Sequence, residues 1–385
     1  MSTEKIAQLN RLSENMAFEP DGDVPLQSPP ACAEAHTDPA GVVYQAAAGG
    51  RKVKLLKTLL TSACERDCFY CPFRAGRDFR RETLKPEELS AAFISMQRAN
   101  VVEGLFLSSG IAAGGMKTQD RLIESAEILR HKYQYRGYLH LKIMPGAERD
   151  QVLRAMQLAD RISINLEAPN ETRLGNLAPH KNFWEELLTP LRWAEEIRQS
   201  LPGYLGWSGR WPSLTTQFVV GAVGENDLEL LATSEFLFAR LRLARTYFSA
   251  FNPVADTPLE NLKAENPIRQ LRLYQASFLL RDYGFSLEDF AFNASGLLPL
   301  DSDPKKAWAQ ANLSSQPVEI NRAERWQLLR IPGIGPKSAD ALIDARRKNP
   351  IQQPGDLQRL GIAWKKAAPF ILLEGRRPAY QPALW

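Results

Sequence analysis

From Val53 onward, short runs rich in β-branched and aromatic residues alternate with longer amphipathic stretches, and the alternation repeats six times. The runs cover 53–61, 103–108, 138–144, 161–167, 215–221 and 245–251, while helical periodicity occupies 86–99, 119–132, 148–158, 182–199, 227–242 and 266–283. The first helix opens Pro86-Glu87-Glu88, with proline at its first position and acids in its first turn, as a helix N-terminus favours. Six βα units predict an α/β fold, a parallel sheet covered by helices. Eight units would close a barrel, so six predict a partial, TIM-like (β/α)6 barrel whose working face lies at the C-terminal ends of its strands. A flat doubly wound sheet has the same element order and is the alternative.

The flanks read differently. Residues 1–50, with Pro20, Pro25, Pro29, Pro30 and Pro39 among small residues, show no sustained period and are expected to be an irregular N-terminal extension. The barrel is then expected over 51–300 and a linker over 301–320. A small all-α unit is expected over 321–375, ahead of a tail at 376–385. In that unit Asn321 and Glu324 read as the N-cap and N3 of a helix to Leu329. The turn Ile331-Pro332-Gly333-Ile334-Gly335 follows, and a second helix starts at Pro336 and runs to about Lys348. A weaker copy passes from Asp356 through Leu360-Gly361-Ile362-Ala363 to Leu373.

Composition narrows the class. A chain of 385 residues with 44% hydrophobic and 24% charged side chains is globular, with material for more than one core, and is not disordered, collagen-like or fibrous. No apolar run approaches the roughly 18–20 residues of a membrane span, and the opening Met-Ser-Thr-Glu-Lys lacks a signal-peptide core, so a cytoplasmic protein without a membrane partner is expected. Charge is uneven. Residues 321–385 hold 12 Lys/Arg against 5 Asp/Glu, a balance of +7 in a chain of +4, which leaves residues 1–320 at −3. A basic C-terminal unit on a slightly acidic body suggests that the small unit meets a polyanion. A solvated basic tail is the bland alternative.

Chemistry concentrates after the first strand run. Cys64, Cys68 and Cys71 form C-x3-C-x2-C on a loop at the expected working face, and they are three of only four cysteines. Three closely spaced thiolates can hold three corners of an iron–sulfur cube and leave one iron open to a substrate's amine and carboxylate. A zinc knuckle completed by Cys32 or His36 is the competing use of the same ligands.

The segment Cys64-Glu65-Arg66-Asp67-Cys68-Phe69-Tyr70-Cys71, with an aromatic before the last cysteine, resembles the signature of the radical S-adenosylmethionine (SAM) superfamily. That resemblance implies a [4Fe-4S] cluster on the three cysteines, SAM chelated by the fourth iron, and reductive cleavage of SAM to methionine and a hydrogen-abstracting 5′-deoxyadenosyl radical. It also implies SAM contacts along the strand ends. Ser108, Ser109 and Gly110 stand where the superfamily has a glycine-rich segment for the SAM amino group, Ser-Ser-Gly here replacing Gly-Gly-Glu. Asn165 and Glu167 are suited to a ribose diol, and Arg173 or Lys181 to the SAM carboxylate. Gly221 and Val223, with Asn252 after the last run, fall on the adenine side, and Tyr70 in the motif is expected among the cofactor-binding residues. No residue is assigned as the hydrogen-atom donor. With only Cys32 left over, a second cluster is not expected, so electrons are expected from an external donor such as flavodoxin or ferredoxin.

The stretch Ile331-Pro332-Gly333-Ile334-Gly335-Pro336-Lys337-Ser338-Ala339 resembles a helix-hairpin-helix motif, which binds nucleic-acid backbone without regard to sequence. Gly333 and Gly335 permit close backbone approach, the amides around Ser338 begin a helix, and Lys337 adds a cation. Lys365 and Lys366 follow the weaker copy. A purely protein-binding hairpin is the alternative. The aromatic loop from Tyr204 to Trp211 has the composition of a base-stacking platform, and Arg74, Arg77, Arg80 and Arg81 that of a phosphate guide, against folding over a core and ordinary surface ion pairs. Over 51–375 the combination is similar to radical SAM proteins assigned to DNA modification or repair. This implies an enzyme that docks on DNA and does radical chemistry on a base or sugar. RNA (tRNA) modification and a non-catalytic iron–sulfur DNA-binding redox regulator are the alternatives.

Overall fold

The computed structural model describes residues 8–9, 11–13, 16, 43–48 and 51–379. It divides into two compact units, 1–225 with 236–270, and 226–235 with 271–385. In the first, the strands β1 (Val43–Ala48), β2 (Arg51–Leu59), β3 (Gly104–Ser108), β4 (Leu139–Lys142), β5 (Arg161–Ser163), β6 (Ser213–Val220) and β7 (Arg245–Ala250) lie side by side in chain order. Strands β2 to β7 are all parallel and curl into a half-barrel, while β1 pairs antiparallel with β2 at the edge. The six expected strands are all present. Strand β1 corrects the reading of residues 1–50 as wholly irregular, and Leu9, Leu12 and Met16 from that stretch are also buried.

Helices cover the outer face. The helix Pro86–Arg98 buries Leu89, Ala92 and Phe93, spaced three and one apart on one stripe, and the helix Gly115–Glu127 buries Leu122, Ile123 and Ala126. Each large side chain of this kind contributes about 1.5–3 kcal/mol on burial. Strands β3 and β4 are buried along their whole length, as sheets covered on both sides must be.

The concave face is polar. Lys57 points its ammonium at the Phe106 ring, Phe106 meets His140 edge-on at 4.5 Å, and His140 Nε2 lies 2.9 Å from Ser163 Oγ, linking β2, β3, β4 and β5 in one row. Strand side chains alternate faces, so the same face reappears two residues on, at Leu59, Ser108, Lys142 and Asn165. Those four stand at the C-terminal mouth.

In the second unit the short strands Val318–Glu319 and Ile371–Leu372 pair in parallel and bracket four short helices, Arg325–Arg330, Pro336–Arg346, Pro354–Arg359 and Trp364–Ala367. Its core includes Leu328, Ile334, Leu342, Leu357 and Ile362. Residues 301–320, expected as a linker, instead carry the helix Pro304–Asn312, and its Ala309 joins that core. The first helix is capped by Glu324 with Gln327, not by Asn321. Asn321 sits one turn earlier and clasps the backbone of Ile351, accepting from its N–H at 2.8 Å and donating to its carbonyl at 2.9 Å. Among the described residues no helix is long and apolar enough to cross a membrane.

Candidate active site at the mouth of the half-barrel

The chain leaves β2 and enters the cysteine loop through a backbone zipper. Leu60 N–H donates to Ser108 O, Ser62 N–H to Glu82 O and Leu84 N–H to Leu60 O, so both ends of the loop are fixed to the barrel. Within it, Glu65 N–H donates to Ile111 O and Phe69 N–H to Leu177 O. Arg66 reaches the Glu186 carboxylate and the His180 carbonyl, and Asp67 lies 2.7 Å from His180 Nδ1. The loop is thus tied to the ends of β3 and to the segment after β5, although it has no regular secondary structure of its own.

Cys64, Cys68 and Cys71 are free thiols that open into one cavity lined from the ends of all six parallel strands. Leu59, Ser108, Lys142, Asn165, Val219 and Ser249 are one representative of each strand end. Of the residues expected to bind SAM, Tyr70, Ser108, Ser109, Gly110, Asn165, Glu167, Lys181 and Asn252 line it. Arg173, Gly221 and Val223 do not. Arg173 Nη1 donates to Val223 O at 3.1 Å, Val223 N–H donates to Glu225 Oε2, and the Gly221 N–H donates to Glu225 Oε1. These three brace the loop after β6 and leave its upstream residue Val219 on the wall. Lys142, Gln217 and Met144 line the cavity too and were not expected. Lys142 is the last residue of β4.

Close backbone approach shapes the wall beside the thiols. A Cβ on Gly110 would stand 2.3 Å from the Ala63 carbonyl oxygen, so no side chain fits there. Glu167, at the end of β5, has φ +64°, a left-handed conformation that costs a non-glycine residue on the order of 1 kcal/mol or more. Its backbone is nevertheless held, N–H to Gln217 O at 2.9 Å and carbonyl from Val219 N–H at 2.8 Å. The side chain accepts from Lys181 Nζ at 3.0 Å and faces the Tyr70 hydroxyl.

Burial would raise the Glu167 carboxyl, but Lys181 and Lys142 together hold it below its ordinary range. Burial pushes the Cys68 thiol up, with Lys181 pulling the other way, and Cys71 is raised by burial and by Cys68. A metal that takes these sulfurs therefore displaces protons from them.

The donor set suits an iron–sulfur cube. Three soft sulfurs share one loop, the cavity wall around them is largely apolar, and the Phe73 N–H already points at Cys71 Sγ from 3.4 Å. Among the described residues no three His, Cys, Asp or Glu side chains converge on a single-ion position. A cube asks for one thiolate at each of three separated corners, not for convergence. Cys32 and His36, the other zinc ligands considered, lie outside the described residues.

Other expectations resolve differently. The loop 204–211 precedes β6 and so belongs to the N-terminal ends of the strands, away from the mouth. Its Trp207 stacks on Arg130 at 3.8 Å and Trp211 Nε1 donates to Leu201 O, so it folds over the barrel floor. Arg74, Arg77 and Arg81 turn inward to backbone carbonyls, and Arg80 pairs with Glu82 at 2.8 Å.

In the second unit, Lys337, Lys365 and Lys366 are exposed. Gly333 (φ +85°) and Gly361 (φ +72°) occupy equivalent places in the two turns, and a Cβ on Gly333 would lie 2.7 Å from Ala363 O. That glycine is required by contact between the turns.

Residues 58–237 match the family described as the Radical SAM superfamily. A search of the curated proteins finds no match. Among solved structures, the chain is similar to the FeFe-hydrogenase maturase HydG from Carboxydothermus hydrogenoformans, at 16% identity over 59% of this chain and 51% of that one, with a TM-score of 0.47. Methylornithine synthase (PylB) matches at 14% identity over 73% and 69%, with a TM-score of 0.46. The radical SAM methyltransferase TsrM from Kitasatospora setae, solved with tryptophan and a SAM analogue, matches at 13% over 54% and 38%, with a TM-score of 0.39. The chain spans about half the length of the first of these. Residues 58–237 thus match the model of a radical SAM superfamily domain, a family whose members are enzymes that use a [4Fe-4S] cluster and SAM.

Proposed function

We propose that Cys64, Cys68 and Cys71 hold the cluster and that the enzyme acts on nucleic acid, specifically DNA, docked through residues 321–375. The single observation that carries the first half is that the three thiols open into the cavity where all six parallel strands end. When bound, the cluster and SAM supply a one-electron cleavage of the sulfonium that yields a hydrogen-abstracting carbon radical. The chain's own residues do the rest.

Ser108, Ser109 and Gly110 offer hydroxyls and open backbone to an amino-acid ammonium, and Asn165 and Glu167 offer an amide and a carboxylate to a diol. Lys181, already engaged with Glu167, brings the positive charge that a carboxylate needs. Tyr70 closes the wall beside Glu167, and Asn252 stands at the end of β7. Leu59, Met144 and Phe251 give the cavity an apolar part that limits solvent around the reacting atoms. An external one-electron donor completes the requirement.

The docking half is supported by two turn-linked helical hairpins with a left-handed glycine in each turn, by the exposed Lys337, Lys365 and Lys366, and by the local charge of +7. Gly335 and Ser338 lie at the start of the helix Pro336–Arg346, where the first backbone N–H groups have no partner within the helix and could meet an anion. We read these features as supporting a helix-hairpin-helix unit, whose phosphate contacts would position a strand without reading its sequence.

The test is anaerobic reconstitution with iron and sulfide, then addition of SAM and a strong reductant. Release of 5′-deoxyadenosine is expected, and its absence with an intact cluster would return the chain to a regulatory role. In parallel, retention on duplex DNA, single-stranded DNA and RNA is measured against salt with and without residues 321–385. Loss of salt-sensitive DNA retention on deletion is expected, and preference for RNA would replace the DNA assignment.

A further inference from the structure

Arg81 stands ten residues beyond Cys71 and outside the cysteine motif, yet its guanidinium reaches both flanks of the cysteine loop. Nη1 donates to Ser62 O at 3.1 Å, two residues before Cys64, and to Phe73 O at 3.0 Å, two residues after Cys71. Nη2 donates to Arg74 O at 2.9 Å and Arg77 O at 3.3 Å. The Phe79 ring covers the same guanidinium at 4.4 Å, and Arg77 lies on that ring at 5.4 Å. Both neighbours of Arg81 in the chain are anchored as well. Glu82 N–H donates to Ser62 Oγ at 2.8 Å, and Glu82 pairs with Arg80 at 2.8 Å.

We propose that Arg81 is a positioning residue for the cluster, a four-way clasp that sets the spacing of Cys64, Cys68 and Cys71 before any iron arrives. The inference rests on the assignment of those cysteines as cluster ligands. Its physical basis is the shape of the group. A guanidinium is a planar fork with five N–H donors in fixed directions, so one side chain can tie four carbonyls that approach from two sides. A lysine ammonium carries the same charge but is a point donor on a flexible stem, and it does not span the entry and exit strands at once.

The loop so tied contains 18 residues between Ser62 and Arg81. Closing it in advance removes conformational freedom that the cluster would otherwise have to remove on binding. The clasp also explains why this loop, with no helix or strand of its own, can present three sulfurs at a defined separation. Geometry, not charge, is therefore the property that matters at position 81.

Three sets of variants separate the possibilities, all in the full chain purified without oxygen. Arg81→Lys keeps the charge and loses the fork, Arg81→Gln loses both, and Cys64→Ala, Cys68→Ala and Cys71→Ala remove the ligands. The readouts are iron and sulfide per chain, the rate of visible bleaching by a chelator, and the electron paramagnetic resonance spectrum of the reduced protein with and without SAM. Thermal melting of each apo-protein reports the fold. Both Arg81 variants are expected to lose iron about 10- to 100-fold faster than wild type, the size of effect typical for groups that orient metal ligands. Their apo-proteins are expected to melt within a few degrees of wild type, and their reduced spectra to broaden. An Arg81→Lys protein that bleaches at the wild-type rate would overturn the clasp while leaving the cysteines in place. Full iron content in the cysteine variants would overturn the ligand assignment itself.

Discussion

The Lys181 ammonium lies 3.0 Å from a Glu167 carboxylate oxygen in the cavity wall, with side chains only 9% and 5% exposed. Breaking such a pair from one side leaves a buried charge uncompensated, which costs about 3–5 kcal/mol. Lys181→Met is therefore expected to lower the urea-unfolding free energy of the apo-protein by that order. Adding Glu167→Gln in the same chain should recover part of the loss, because the stranded carboxylate is gone. Strictly additive effects in this cycle would show that the two groups do not depend on each other.

At Gly110 the expected effect is steric. A methyl group there would sit 2.3 Å from Ala63 O and 3.2 Å from Cys64 Cβ, and the backbone atom cannot move aside cheaply. Gly110→Ala should cost about 1–3 kcal/mol and lower the iron bound per chain. Gly175→Ala is the matched control, since nothing lies within 4 Å of its added Cβ and it occupies the exposed face of the helix Glu171–Leu177. That change should stabilise by about 0.5–1 kcal/mol, as glycine to alanine does inside a helix. Equal effects at the two sites in chemical denaturation and iron analysis would remove the steric explanation.

In the second unit, Lys305 donates to the Ile334 carbonyl at 2.6 Å and lies 4.5 Å from the Tyr283 ring centre. Burial brings its ammonium down to about 7, with Asp303 opposing and Arg330 adding to the shift. Below pH 7 both folded and unfolded chains carry the proton, and the folded one bears the full desolvation cost. Between pH 7 and the ordinary lysine range the unfolded chain binds more protons, so stability rises with pH. Unfolding free energies compared at pH 6.5 and 9.5 should increase by up to about 3 kcal/mol more in wild type than in Lys305→Met. A flat difference between the two proteins across that range would contradict the assignment.

Lys337, Lys365 and Lys366 predict a salt dependence. If each neutralises a phosphate, replacing any one by alanine should weaken DNA retention about equally on every sequence and reduce the log–log salt slope by about 1. A triple variant with an unchanged slope would assign the local basic charge to solvation alone.

Much of this was legible in the chain, for identifiable reasons. The six parallel strands announce themselves as short β-rich runs that alternate with amphipathic stretches, most plainly where both faces are covered by apolar residues, as in Leu105-Phe106-Leu107. The cysteine loop was found by spacing. Strand β1 was missed because Tyr44-Gln45-Ala46-Ala47-Ala48 is too bland to show a period, although Gly49-Gly50 is a sequence signal for a tight hairpin connection to the next strand. Lys142 and Lys305 were opaque for a different reason, and Arg81 was read only as one of four arginines that guide a phosphate or pair at the surface. A lone basic residue reads as solvated, and only tertiary structure reveals that its donors face carbonyls or a cavity. Asn321 was misassigned because a cap and a side-chain clasp on a distant backbone look identical in sequence.

The zipper between residues 60–62 and 82–84 closes the base of the cysteine loop with backbone bonds reinforced by the hydroxyls of Thr61, Ser62 and Thr83, and the thiols contribute nothing to it. Small metal domains that collapse only around their ion must be loaded as they are made. Here the two ends of the loop are held by bonds in which a bound cluster would take no part.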